Sequence, residues 1–222
     1  MSTRRHAGSA YVVAPDSGRG PGVLVLHAWW GLTPFFRDVA DRLADAGFVA
    51  LAPDLFAGET ADAPEEAEAL LASADVGRMV GLVESSIAVL RGLPITPDGP
   101  VGLVGFSMGS SLALRAAARQ PVDVAAAVAY YGSTDVDFAP VTAAIQIHLA
   151  EHDAYESADD AVAMEAHMRL VGLDPDVHRY AGTTHWFAEE DREAAFDREA
   201  ADVAWDRTVA FLHRHLADDT PA

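Results

Sequence analysis

The 222-residue chain contains no cysteine, no lysine and no asparagine. The first absence excludes disulfides, thiolate nucleophiles and cysteine metal sites. It says nothing about compartment. The second makes arginine the sole strong cation, and 15 basic side chains face 34 acidic ones for a formal net charge of -19. Nucleic acid and anionic membrane both require basic surface, so neither is expected as a partner. Isoleucine is scarce as well. Salt adaptation does not require that loss, so a codon bias toward G and C explains the composition better. No apolar run approaches the roughly 20 residues of a membrane span. Arg4 and Arg5 have no apolar stretch behind them, so no signal peptide is expected and the cytoplasm is the expected location. No cofactor or metal site is expected.

What the chain does contain is core material, since half of its residues are hydrophobic. Its length suits a single α/β domain. Strands are expected over residues 9–14, 23–27, 48–53, 101–105, 122–131, 144–150 and 176–180. Helices are expected over 34–46, 76–93, 110–118, 157–171 and 200–216. The helix from Pro34 should bury Phe35, Phe36, Val39, Ala40 and Leu43, with Gly47 as its C-cap. The closing helix should bury Val203, Ala204, Val209, Phe211 and Leu212. Residues 59–73 are acidic and alanine-rich, a solvated connecting helix or loop. The strands are continuous apolar runs that alternate with helices, which argues for a doubly wound, mostly parallel sheet flanked by helices.

One stretch carries chemistry. The strand 101–105 runs into Gly105-Phe106-Ser107-Met108-Gly109, and a helix pattern follows. Gly-x-Ser-x-Gly between strand and helix is the tight turn that exposes a nucleophilic serine in α/β-hydrolases. Both flanking positions must be small, and Gly105 and Gly109 are. A serine hydroxyl needs a base to take its proton and an acid to orient that base, here in the chain order Ser, acid, His.

Of the nine histidines, His6 and His27 precede Ser107. His148 and His178 sit in strand patterns, and His167, His213 and His215 in helices. His152 adjoins the favoured acid. His185 alone follows the last expected strand on a small-residue loop, Gly182-Thr183-Thr184, and precedes the closing helix. It is the candidate base. Asp153, after the strand 144–150, is the candidate acid, with Asp135, Asp137 and Glu151 as rivals. An oxyanion hole needs two amides aimed at one point. Met108 and Trp29 are the candidates. Trp30, Phe35, Tyr131, Trp186 and Phe187 are candidate walls of an apolar substrate pocket, each set against plain core packing.

These pieces together resemble the dienelactone hydrolase family of α/β-hydrolases. The resemblance rests on His27-Ala28-Trp29-Trp30-Gly31-Leu32 and on Phe48-Val49-Ala50-Leu51-Ala52-Pro53-Asp54-Leu55-Phe56. It continues through the serine turn, Tyr130-Tyr131-Gly132, Glu151-His152-Asp153 and Gly182-Thr183-Thr184-His185-Trp186-Phe187. It implies the α/β-hydrolase fold, a triad of Ser107, Asp153 and His185, and hydrolysis of a small ester or lactone through an acyl-enzyme. Three departures stand out. The best-known members use cysteine where Ser107 stands. They carry a glutamate, which interacts with that cysteine, where Ala28 stands. Their carboxylate-binding arginine falls at Glu189, so an anionic dienelactone should be repelled there unless another arginine, such as Arg78, compensates. A neutral ester or lactone is the expected substrate, and a monomer or weak homodimer the expected state. An inactive binding module, a thioesterase and a peptidase are the competing readings.

Overall fold

In chain order the elements are β1 (Arg4–Ala7), β2 (Ala10–Val13), β3 (Gly22–Leu26), α1 (Pro34–Asp45), β4 (Val49–Pro53), α2 (Pro64–Ser73) and α3 (Val76–Arg91). They continue as β5 (Val101–Phe106), α4 (Met108–Arg119), β6 (Val124–Tyr130), β7 (Ala144–His152), α5 (Ala158–Leu170), β8 (Asp176–Thr184) and α6 (Arg198–Leu216). The structure is a computed structural model that describes residues 10–216 and the backbone of 4–7. Ser9, expected to open the strand that is β2, lies outside the described residues.

The strands form one sheet in the order β1-β2-β4-β3-β5-β6-β7-β8. β1, β2 and β4 pair antiparallel, and every other pairing is parallel. β3, β4 and β5 are buried at every position, which is why their sequences read as unbroken apolar runs. Alternate side chains feed two separate cores. Val23, Val25, Val104 and Val128 pack with α1 and α6 on one face. Leu24, Leu26, Leu103 and Ala127 pack with α3, α4 and α5 on the other.

The ends of α1 follow its sequence. Pro34 opens it, all five expected apolar residues are buried, and Gly47 follows its C-terminus at φ 99°. Ser157 caps α5 by accepting from the Asp160 amide. Two expectations need correction. Gly182, Thr183 and Thr184, expected in a loop, belong to β8, because pairing with β7 resumes beyond an irregularity as His152 against Thr184. In α6, Val203 is 40% exposed and Val209 half-buried, and Thr208 and Leu216 are buried instead. The helix turns a slightly different stripe to the sheet than its valines suggest.

The order places the site. From β3 the chain winds outward to β4, then returns past β3 to β5 and winds the other way. The crevice at the carboxyl ends of β3 and β5 is the switch point where α/β sheets bind ligands.

Candidate active site

Ser107 sits where β5 turns into α4, at φ 51° and ψ -115°. That is left-handed backbone, costly for a residue with a Cβ. Packing enforces it. A Cβ on Gly105 would overlap the Gly109 carbonyl oxygen, and one on Gly109 would overlap the Leu26 carbonyl oxygen of β3. The Ser107 amide is tied to the Tyr130 carbonyl at 2.9 Å, and the Ser110 hydroxyl donates to the carbonyls of Gly105 and Tyr130. The turn is thus clamped between β3 and β6. Met108 opens α4, so its amide belongs to the unpaired, electropositive first turn.

The next residues arrive from the far half of the sheet. His185 immediately follows β8 and is 3% exposed. Its Nε2 lies 2.8 Å from Ser107 Oγ. Its Nδ1 lies 2.8 and 2.7 Å from the two Asp153 oxygens. A carboxylate accepts at Nδ1, so that nitrogen carries the proton and Nε2 is free to accept from the serine. Asp153 follows β7, and its Oδ1 accepts the amides of Tyr155 and Glu156 at 2.9 Å each. Burial pushes this carboxyl up. The His185 bond and charge and the two amides outweigh it, and the net shift is downward. The rival acids lie elsewhere. Glu151 accepts the Gly182 amide at 2.6 Å, Asp137 accepts the Ala139 amide, and Asp135 is exposed.

A cavity of about 360 Å³ opens beside Ser107, lined also by Met108, Trp29 and His185. Its other walls are Leu71, Val76, Met79, Leu112 and Tyr155, with Arg115, Glu156 and Ser111 as its remaining polar members. Leu71, in the stretch 59–73 that read as a solvated connector, therefore supplies apolar wall, as do Val76 and Met79 of the helix expected from Val76. The expected aromatic walls need correction. Tyr131 and Phe187 are fully buried core residues, and Phe35 lines a different cavity between α1 and α6. Trp30 and Trp186 line a second cavity of about 380 Å³ on the other side of His185. Rings in these loops pack on one another before they face solvent, as Trp30 on Trp186 and Tyr131 on Phe187 show. Sequence reasoning missed Tyr155 and Glu156. Their sole sequence signal was membership of the four-residue turn that Asp153 opens.

Glu189 also behaves differently from its expected role. It is fully buried, and its Oε1 accepts the Tyr131 hydroxyl at 2.9 Å. Burial pushes its carboxyl up to about 8. It therefore does not line the Ser107 cavity, and no repulsion of anions there follows from it. The arginine at that cavity is Arg115, not Arg78. Glu156 carries the acidic counterpart. Its Oε2 accepts the Ser133 hydroxyl at 2.7 Å, and burial leads the upward shift of its carboxyl. His27, beside Ala28, is buried and lowered to about 4 by desolvation, and its Nε2 accepts the Leu55 amide. It braces the loop after β3. Among the described residues no group of three His, Cys, Asp or Glu side chains is arranged to hold a metal.

The dienelactone hydrolase family model matches residues 9–216. The chain belongs to the dienelactone hydrolase family. Protein usf of Aquifex pyrophilus is 35% identical over 215 residues, 93% of each chain. Carboxymethylenebutenolidase 1 of Cupriavidus pinatubonensis is 30% identical over 216 residues, 91% of this chain and 90% of its own. The crystal structure of dienelactone hydrolase from Anabaena variabilis superposes with a TM-score of 0.71 at 23% identity, covering 97% of this chain and 99% of its own. As a dienelactone hydrolase family member the protein is a hydrolase acting on lactone or ester bonds, built on the α/β-hydrolase fold. No described helix is long and apolar enough to cross a membrane.

Proposed function

We propose that the protein is a serine hydrolase that cleaves a small ester or lactone through an acyl-enzyme. The observation that carries this reading is the hydrogen-bonded line from Ser107 Oγ to His185 Nε2 at 2.8 Å and from His185 Nδ1 to Asp153 at 2.7 Å. The Ser107 oxygen attacks the carbonyl carbon while its proton passes to Nε2. The amides of Met108 and Trp29 hold the resulting oxyanion. Each such donor is worth roughly 10²–10³ in rate. The tetrahedral centre then collapses, the bond to the alcohol oxygen breaks, and His185 returns its proton to that oxygen. Water, deprotonated by His185, attacks the acyl-serine and releases the acid. Asp153 holds the imidazole in the required tautomer throughout. The pairing of Ser107 with Ala28 supports the same chemistry, because a glutamate tuned to a thiol has no task beside a hydroxyl.

Ser107→Ala tests the assignment. Turnover of p-nitrophenyl acetate and labelling by a fluorophosphonate should both vanish, with near-UV circular dichroism unchanged. Retained turnover in the folded variant would refute it.

A further inference from the structure

We propose that the cavity beyond His185 is the leaving-group subsite, that Tyr155 divides it from the Ser107 cavity, and that it selects esters of uncharged or cationic alcohols over anionic ones. The proposal rests on the serine-hydrolase reading above.

The two cavities share His185 and Tyr155 and no other residue. That fixes which part of a substrate can reach the second one. The scissile carbonyl must sit at Ser107 with its oxygen toward the first turn of α4. His185 then protonates the alcohol oxygen, which requires that oxygen within hydrogen-bond reach of the imidazole. Whatever is bonded to it leaves past the imidazole, at the point where the cavities meet. That leaves the acyl chain the Ser107 cavity itself, whose apolar walls include Leu71, Met79 and Leu112.

Tyr155 is built as a partition. Its ring stands 5.2 Å from His185, 5.5 Å from Trp29 and 4.6 Å from Trp186, yet the residue is 51% exposed. Its amide is anchored on Asp153. Truncating the ring therefore opens the divide without releasing the backbone that orients Asp153.

The charge of the second cavity follows from its lining. Asp62, Asp191 and Glu193 meet a single guanidinium, Arg192. That guanidinium is already engaged. It stacks 3.8 Å from the centre of the Trp30 ring, donates to the Asp62 carbonyl at 2.9 Å, and lies 3.5 Å from Asp191 Oδ2. Carboxylates are thus in excess; the other basic groups of the lining are imidazoles, His185 itself and His152, whose Nε2 lies 3.7 Å from Glu151 Oε2. Two surplus charges within a screening length favour a cationic over an anionic group by about tenfold at moderate salt.

The test uses acetate esters that differ in the alcohol alone: choline, its uncharged 3,3-dimethylbutyl isostere, and a carboxylate-bearing alcohol of similar size. For the unaltered protein, kcat/KM for the carboxylate ester should fall about tenfold below that of the choline ester. The Asp62→Asn, Glu193→Gln double variant should shrink that ratio at least threefold. Tyr155→Ala, but not Tyr155→Phe, should change the ratio between methyl and 3,3-dimethylbutyl acetate by threefold or more. Equal rates for the three esters, or ratios unmoved in both variants, would overturn the subsite while fluorophosphonate labelling of Ser107 stays intact. Loss of labelling in the unaltered protein would instead remove the serine-hydrolase reading, and the subsite with it.

Discussion

Replacing Glu189 by Gln should change how stability depends on pH, with little change at acid pH. The carboxyl is fully buried and sits against the Tyr131 hydroxyl, with Asp191 opposing its ionisation and Arg192 favouring it. Burial dominates, and the folded-state value rises from 4.5 to about 8. Because the value is raised, the folded state holds a proton that the unfolded state has already released. Stability attached to this group is full below the unfolded value and is lost as pH climbs from there through the folded value. At about 1.4 kcal/mol per unit, the displacement corresponds to about 5 kcal/mol between pH 4 and pH 9. For a chain of this size that is on the order of 10 °C in melting temperature. Gln keeps an acceptor for Tyr131 and cannot ionise. Thermal unfolding followed from pH 5 to 9 should show the variant within about 1 kcal/mol of the natural protein at pH 5. The variant should be the more stable of the two at pH 9, so the two curves cross. Parallel curves would mean that the carboxyl is already ionised in the fold, and the burial argument would fail.

Gly109→Ala should be severe, because the new Cβ would lie 2.7 Å from the Leu26 carbonyl carbon and 2.8 Å from the His27 oxygen, both backbone atoms. Moving α4 by about 1 Å to relieve that contact should cost on the order of 10²-fold in kcat/KM for p-nitrophenyl acetate, and a loss of less than about tenfold would show that the turn can flex. Asp153→Asn leaves the shape of the site intact but removes the acceptor that holds the proton on His185 Nδ1. Steady-state kinetics should show kcat down by roughly 10³–10⁴ with KM little changed, and a loss under tenfold would reassign the acid. His27, lowered from 6.5 to about 4 by burial, stabilises the fold above the unfolded value, and that contribution is lost as pH falls toward the folded one. His27→Gln, which preserves an acceptor for the Leu55 amide, should flatten the fall in melting temperature between pH 6.5 and 4.

The legibility of this chain in its sequence follows what each signal depends on. The buried strands were readable because a strand covered on both faces has no choice but an apolar run. The candidate triad was readable because its members sit at points the chain order fixes: one after β5, one after β7, one after β8. The walls around it were not. Whether Trp30, Tyr131 or Phe187 faces a ligand or a neighbour depends on which ring reaches the gap first, and loop packing decides that over residues far apart in sequence. Glu189 illustrates the limit most sharply. Its position matches an anion-binding arginine, and in so acidic a chain a glutamate reads as surface charge. The structure instead buries it behind Tyr131, where burial pushes the carboxyl up to about 8. A position comparison carries charge over as if burial were constant, and here burial is what changed. The arginine that meets the Ser107 cavity, Arg115, comes from the exposed side of α4, a helix whose sequence reads only as support for the serine turn. Charge at this site must therefore be counted from what lines each cavity rather than from which residues align.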